Sequence, residues 1–248
     1  MPDPANYHKR RYAVWSISNS ALQLILLVIT AAAGGSQLTL WAVLAAAALG
    51  TFTLLYWVRP RNDERRQPLK RADKLTLVRF GLTGIIGLLI ALAPAHQLPA
   101  AGCAALAVGI ISVILDGIDG KLARKDGPTE FGSILDIEGD TYFMVVAIVA
   151  AVTRLQAPMW APLLVSCRFI YVFIRFIPSR SRSLPRWFRR PMQINGVFGT
   201  AAVGIWYLDS IPRTAAAALL LAATSANIAS FLLTCYLQYS GGATGKSS

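Results

Sequence analysis

Four aspartates stand where they could do chemistry. Asp116 and Asp119 are three residues apart, and Asp136 and Asp140 are four apart. On helices each pair shares one face, because three or four residues bring the chain back to nearly the same side. The stretch from Leu115 to Asp140 holds seven of the 12 acidic residues of a chain whose net charge is +12. Two helices joined by a short turn would bring all four carboxylates together. Such a cluster repels itself unless a cation neutralises it, and oxygen ligands suit hard ions such as Mg2+, Mn2+ or Ca2+. No Cys or His lies nearby, which argues against zinc. Four carboxylates can bridge two ions, or one of them can stay free as a base.

Small residues surround the aspartates: Gly117, Gly120, Ala123, Gly127 and Gly132. Gly120 and Ala123 follow Asp119 at one and four positions and leave a notch, with Arg124 at its mouth. Metal, notch and arginine together suit a diphosphate: the arginine forks onto its oxygens and the missing side chains admit it. The plainer alternative is a solvated acidic loop capping helix ends, and the small residues weigh against it.

The elements that must position these groups are membrane helices. The chain has 248 residues, 55% of them hydrophobic and only 15% charged, with a mean hydropathy of +0.51. Eight apolar runs near 12–34, 38–58, 75–95, 100–122, 132–153, 158–177, 193–209 and 214–237 approach the length that crosses a bilayer. Spans of this kind are helices, because their backbone must satisfy its own hydrogen bonds. The fold class expected is therefore all-α integral membrane. The cations fall in short runs: Lys9 to Arg11, the stretch from Arg59 to Lys74 with seven cations against three acids, and six cations from Arg175 to Arg190. The alternate loops carry only Arg154 and Arg213. The positive-inside bias puts the basic loops, both termini and the acidic stretch in the cytoplasm. The positive charge then meets anionic lipid, and no motif for nucleic acid accompanies it. Cys103, Cys167 and Cys235 lie in apolar runs and read as small packed side chains. The run after Arg11 lacks a small-residue cleavage site and reads as a retained span. Four aromatic residues near span ends, Trp41, Trp57, Trp187 and Trp206, read as interfacial anchors. The organisation expected is an N-terminal transmembrane hairpin (1–58), a basic linker (59–72), a six-helix core (73–240) and a disordered tail (241–248).

With those residues in place, the stretch resembles the CDP-alcohol phosphatidyltransferase signature, D-x-x-D-G-x-x-A-R, seven or eight residues, then G-x-x-x-D-x-x-x-D. Asp116, Asp119, Gly120, Ala123, Arg124, Gly132, Asp136 and Asp140 occupy every fixed position. The third span opens on a segment similar to the family's N-x-x-T-x-x-R, where Thr76 and Arg79 match and Asp73 stands in place of Asn. Thr129 before Gly132 resembles a T-x-x-G element of the same family. The resemblance implies an enzyme built on a six-helix membrane core, transferring the phosphoryl-alcohol part of a CDP-linked alcohol to a second hydroxyl and releasing CMP. It implies divalent metal, two Mg2+ or Mn2+ ions, on Asp116, Asp119, Asp136 and Asp140, with Asp140 also the general base. It implies that Asp73, Thr76, Gly120, Ala123, Arg124 and Thr129 line the CDP site, and that a homodimer is possible. Glu138 lies two residues from both Asp136 and Asp140, faces away on a helix, and is given no role.

The motif does not name the alcohols. CDP-diacylglycerol as donor with a small, phosphorylated acceptor is the narrower expectation, as in phosphatidylglycerophosphate and phosphatidylinositol phosphate synthases. Its basis is Arg168 and Arg175, seven residues apart on one helix face of the sixth span, since arginine binds phosphate bidentately. Equally open is that Arg168 pairs with a motif aspartate or snorkels. Gln193 and Asn195 could touch the acceptor, but polar residues in a span more often join helices. A CDP-aminoalcohol phosphotransferase acting on diacylglycerol is the enzymatic alternative. A cation-coupled transporter is the alternative of another class, although it has no need of the notch. The expected location is the inner or plasma membrane of a bacterium.

Overall fold

The computed structural model describes residues 4–33, 35–58, 69–127, 129–175 and 186–239. Most of the basic linker, Arg180, Arg182 and the 241–248 tail lie outside them, as do the side chains of Lys9, Trp57, Arg175, Trp187 and Gln193. Every regular element among the described residues is helical. The helices are α1 (Pro4–Ala33), α2 (Gln37–Thr53, continued by a π turn to Val58), α3 (Arg71–Leu92), α4 (Leu98–Asp126), α5 (Glu130–Arg154), α6 (Leu163–Arg175), α7 (Arg186–Trp206) and α8 (Arg213–Tyr239).

Their ends follow local chemistry. Gly35, at φ +67°, turns α1 into α2, a conformation glycine adopts without strain. Ser36 then caps α2: its Oγ accepts the Thr39 N–H at 3.2 Å, and Thr39 Oγ1 accepts the Ser36 N–H at 3.3 Å. At the start of α3, Asp73 Oδ2 accepts the Lys70 N–H at 3.0 Å. Gly127, at φ +80°, ends α4. Thr129 caps α5 by accepting the Gly132 N–H at 2.8 Å.

Five helices are long and apolar enough to cross a membrane: α1, α2, α3, α4 (with the short turn before it) and α8. The carboxylates at one end of α5 and Arg154 at the other keep it out of that set. Yet α5 is the central helix, with α1, α2, α3, α6 and α7 packed around it. Its residues from Val145 to Val152 are all buried, as expected of a helix that is apolar all round. Many large apolar side chains on the outer helices, such as Leu38, Ile110, Ile114 and Val197, are more than half exposed, which suits lipid rather than water.

Two expectations need correction. The spans near 158–177 and 193–209 are shorter than drawn: α6 has 13 residues, and the apolar part of α7 runs from Ile194 to Trp206. Pro158 and Pro162 keep the chain in turns before α6, since proline lacks the N–H a helix interior needs. Trp206 is not an interfacial anchor. It is 3% exposed and donates its Nε1–H to the Leu155 carbonyl at 2.9 Å. The N-terminal hairpin joins the bundle, with α1 and α2 packed directly on α5 and on each other, α2 on α3 and α1 on α6. At the end of α5 away from the aspartates, Arg154 donates to Gln37 at 2.7 Å and to the Ala93 carbonyl. Arg213 donates to the Trp206 carbonyl and pairs with Asp209. Arg154 is thus held by the two neighbouring turns on that side, and Arg213 by its own.

Candidate active site

Asp116 and Asp119 sit near the end of α4, and Asp136 and Asp140 in the first turns of α5. The carboxylates of Asp116, Asp136 and Asp140 each offer an oxygen within 4.8 Å of the others. Between them stands a fifth residue, Arg79 of α3. Its Nη1 lies 2.6 Å from Asp116 Oδ1, 3.0 Å from Asp136 Oδ1 and 3.2 Å from Asp119 Oδ2, and its Nη2 lies 2.5 Å from Asp140 Oδ1. The Arg79 side chain is 8% exposed and that of Asp119 is 6%, whereas Asp116, Asp136 and Asp140 are 44%, 47% and 59% exposed. Asp119 therefore lies at the floor, where it also accepts the Thr76 hydroxyl at 3.1 Å. The other three form the open rim.

The donor set fits a hard divalent cation. All its ligand atoms are carboxylate oxygens, and four carboxylates against one guanidinium leave three formal negative charges at the rim and floor. The Arg79 Nε is buried without a partner among the described residues, so this arginine satisfies the aspartates at the cost of one of its own donors.

The other predicted residues divide into two groups. Asp73 and Thr129 hold the helices together: Thr129 donates to Asp73 Oδ1 at 3.2 Å, while the other Asp73 oxygen takes the Lys70 N–H. Gly132 makes this junction possible. A Cβ there would lie 2.2 Å from Asp73 Oδ1 and 2.6 Å from Thr129 Oγ1. Lys70 ties the same corner by donating its Nζ hydrogens to the Asp126 and Gly127 carbonyls, both at 2.8 Å, which satisfies the end of α4. By contrast, Gly120, Ala123 and Arg124 line open space. A Cβ at Gly120 would meet only the Arg124 Nη1, at 3.6 Å, and Arg124 is exposed.

Arg168 of α6 does not pair with a motif aspartate. Its Nη2 lies 3.4 Å from Glu138 Oε1, and its Nε donates to Thr141 Oγ1 at 3.2 Å. Glu138 does face away from Asp136 and Asp140, as its spacing requires. It is buried there, and it also accepts the Tyr12 hydroxyl of α1 at 3.4 Å. Asn195 donates to Ser230 of α8 at 3.2 Å, which fits the helix-joining reading. Arg79, Glu138 and Lys70 carry weight that their sequence positions did not reveal. Arg79 and Glu138 had one signal, since a charge inside an apolar span demands a partner.

A family model supports what the geometry suggests. The CDP-alcohol phosphatidyltransferase model matches residues 69–236, about two thirds of the chain. The chain belongs to that family: it is a membrane-embedded CDP-alcohol phosphotransferase, and α1 and α2 lie outside the matched region. No curated protein and no solved structure matches the chain closely enough to count as a relative.

Proposed function

We propose that this protein transfers the phosphatidyl group of CDP-diacylglycerol to the hydroxyl of a small phosphorylated alcohol. The observation that carries this reading is the convergence of Asp116, Asp119, Asp136 and Asp140 on Arg79, beside the open Gly120–Ala123 flank with Arg124 exposed at its edge. The donor's diphosphate rests on that flank, with Arg124 forked onto it and Thr76, Asp73 and Thr129 shaping the wall behind. Asp140, the most exposed of the four, takes the proton of the attacking hydroxyl. The acceptor oxygen bonds to the phosphorus that carries diacylglycerol, the bond from that phosphorus to CMP breaks, and CMP leaves with the electron pair. Asp116, Asp119, Asp136 and Asp140 would hold two Mg2+ or Mn2+ ions, which supply Lewis-acid stabilisation of the diphosphate charge. Arg79 keeps the carboxylates converged. Arg168, held by Glu138 and Thr141 of α5, offers its remaining donors to the acceptor's phosphate, and Arg175 lies two turns along the same helix. The catalytic rim faces the cytoplasm, on the side of the basic loops.

The test follows the phosphorus. With CDP-diacylglycerol labelled in the phosphate next to diacylglycerol, the label must appear in the new lipid, with unlabelled CMP released. Label in phosphatidic acid, whether or not an acceptor is present, would mean hydrolysis. No turnover of CDP-diacylglycerol, with turnover of CDP-choline or CDP-ethanolamine and diacylglycerol, would make it an aminoalcohol phosphotransferase.

A further inference from the structure

Arg79 bonds the same carboxylates that a metal would need. Asp116, Asp136 and Asp140 are the three that could share one ion, with an oxygen from each within 4.8 Å of the others. Arg79 reaches all three: its Nη1 is 2.6 Å from Asp116 and 3.0 Å from Asp136, and its Nη2 is 2.5 Å from Asp140. A small divalent ion takes oxygen ligands at about 2.0–2.1 Å. An ion held by these carboxylates therefore lies in the space that the guanidinium fills, or within about 4 Å of it.

Charge turns that overlap into competition. Two divalent ions by themselves neutralise four carboxylates, so a guanidinium kept among them gives the site a net positive charge. Water screens the repulsion poorly, because the Arg79 side chain is buried. The bonding of Arg79 points the same way. Its Nε has no partner among the described residues, and its Nη1 and Nη2 bonds all run to aspartates of the cluster. No other group fixes the guanidinium at the rim. Asp119, buried at the floor 3.2 Å from Nη1, is the partner that Arg79 can keep while its rim contacts are given up.

We propose that Arg79 is the built-in counter-ion of the aspartate cluster and a competitor of its metal. It holds the four carboxylates together until a divalent cation takes over the rim, and its charge sets how tightly that cation binds. This rests on the cation reading above. It differs from simple pre-organisation of ligands in the sign of the effect: a pre-organising arginine strengthens metal binding, whereas a competing one weakens it.

The experiment titrates Mn2+ into purified full-length protein in mixed micelles, without substrate, and reads the loss of the free-ion signal by electron paramagnetic resonance. The parent is compared with Arg79→Met, Arg79→Gln and Arg79→Lys, each with a thermal melt in Mn2+. The Gln variant keeps an amide donor for Asp119 without the charge, and serves if the Met variant does not stay folded. Removing a unit charge about 4 Å from a divalent ion corresponds, even at the dielectric constant of water, to about 30-fold in affinity. The neutral variants are therefore expected to bind Mn2+ about 30-fold more tightly than the parent. Arg79→Lys, which keeps the charge, is expected to stay within about three-fold of it. Folded neutral variants that bind Mn2+ equally or more weakly would overturn the proposal and leave Arg79 a pre-organising residue. Tightening by Lys as large as that by Met would also overturn it, because charge would not be the cause. If neither the parent nor any variant binds Mn2+, the cation reading itself has failed, and this proposal falls with it.

Discussion

Replacing Arg79 by Met removes the charge at the centre of the site while keeping most of its volume. Three of its four partners are 44–59% exposed, so each of those pairs contributes about 0–1 kcal/mol. The pair with Asp119 is different, since both side chains are buried at 3.2 Å. Removing one partner of a buried pair costs about 3–5 kcal/mol. The Thr76 hydroxyl on Asp119 offsets part of that, because a hydrogen bond to a charged group contributes about 1.5–3 kcal/mol. A net loss of about 3 kcal/mol is expected in the presence of a chelator. A divalent cation at 100 times its dissociation constant returns about 2.7 kcal/mol to any protein that binds it only when folded. Arg79→Met should therefore lose about 3 kcal/mol of stability in chelator and gain about 2.7 kcal/mol back in excess Mn2+. The assay is reversible unfolding in mixed micelles, with EDTA and with Mn2+, for both proteins. A variant as stable as the parent in EDTA would refute the counter-ion role of Arg79. Mn2+ that stabilises neither protein relative to EDTA would refute the cation site.

Two glycines of one motif should behave oppositely. Gly132→Ala forces a Cβ into Asp73 and Thr129 and should cost about 1–3 kcal/mol, whereas Gly120→Ala meets open space and should melt like the parent while raising the donor KM. Equal melting losses in the two variants would remove the distinction between junction and notch. Glu138→Gln removes the charge that orients Arg168. It should raise KM for a phosphorylated acceptor and leave the donor KM unchanged, and parallel changes in both would count against an acceptor role for Arg168.

Much of this architecture was legible in the sequence. Hydropathy marks membrane helices because the bilayer forbids unsatisfied backbone, and the spacing of the four aspartates anticipates their convergence across the α4–α5 turn. The place of Arg79 was not legible. Its motif position is local, but its partners lie on two other helices, and only the packing of α3 against both α4 and α5 brings them together. Glu138 shows the same limit. Helical spacing correctly turned it from Asp136 and Asp140, yet could not say that its other face meets Arg168 and Tyr12. The short α6 had a visible cause in Pro158 and Pro162, outweighed by the apolar run around them. Trp206 looked like an anchor from its place near a span end, but tertiary packing took it inside. The packing of α1 and α2 on α5 was invisible as well, because contacts between helices distant in sequence leave no local signature.

The most direct measurement is CMP release from CDP-diacylglycerol with Mg2+ or Mn2+, with glycerol 3-phosphate, inositol 1-phosphate, inositol and serine offered in turn, for the parent and for Asp140→Asn. The account predicts release that depends on one phosphorylated acceptor and is lost in Asp140→Asn, while CDP-lipid binding survives. Undiminished release by Asp140→Asn, or no release with any acceptor from protein that binds metal and CDP-diacylglycerol, would contradict it.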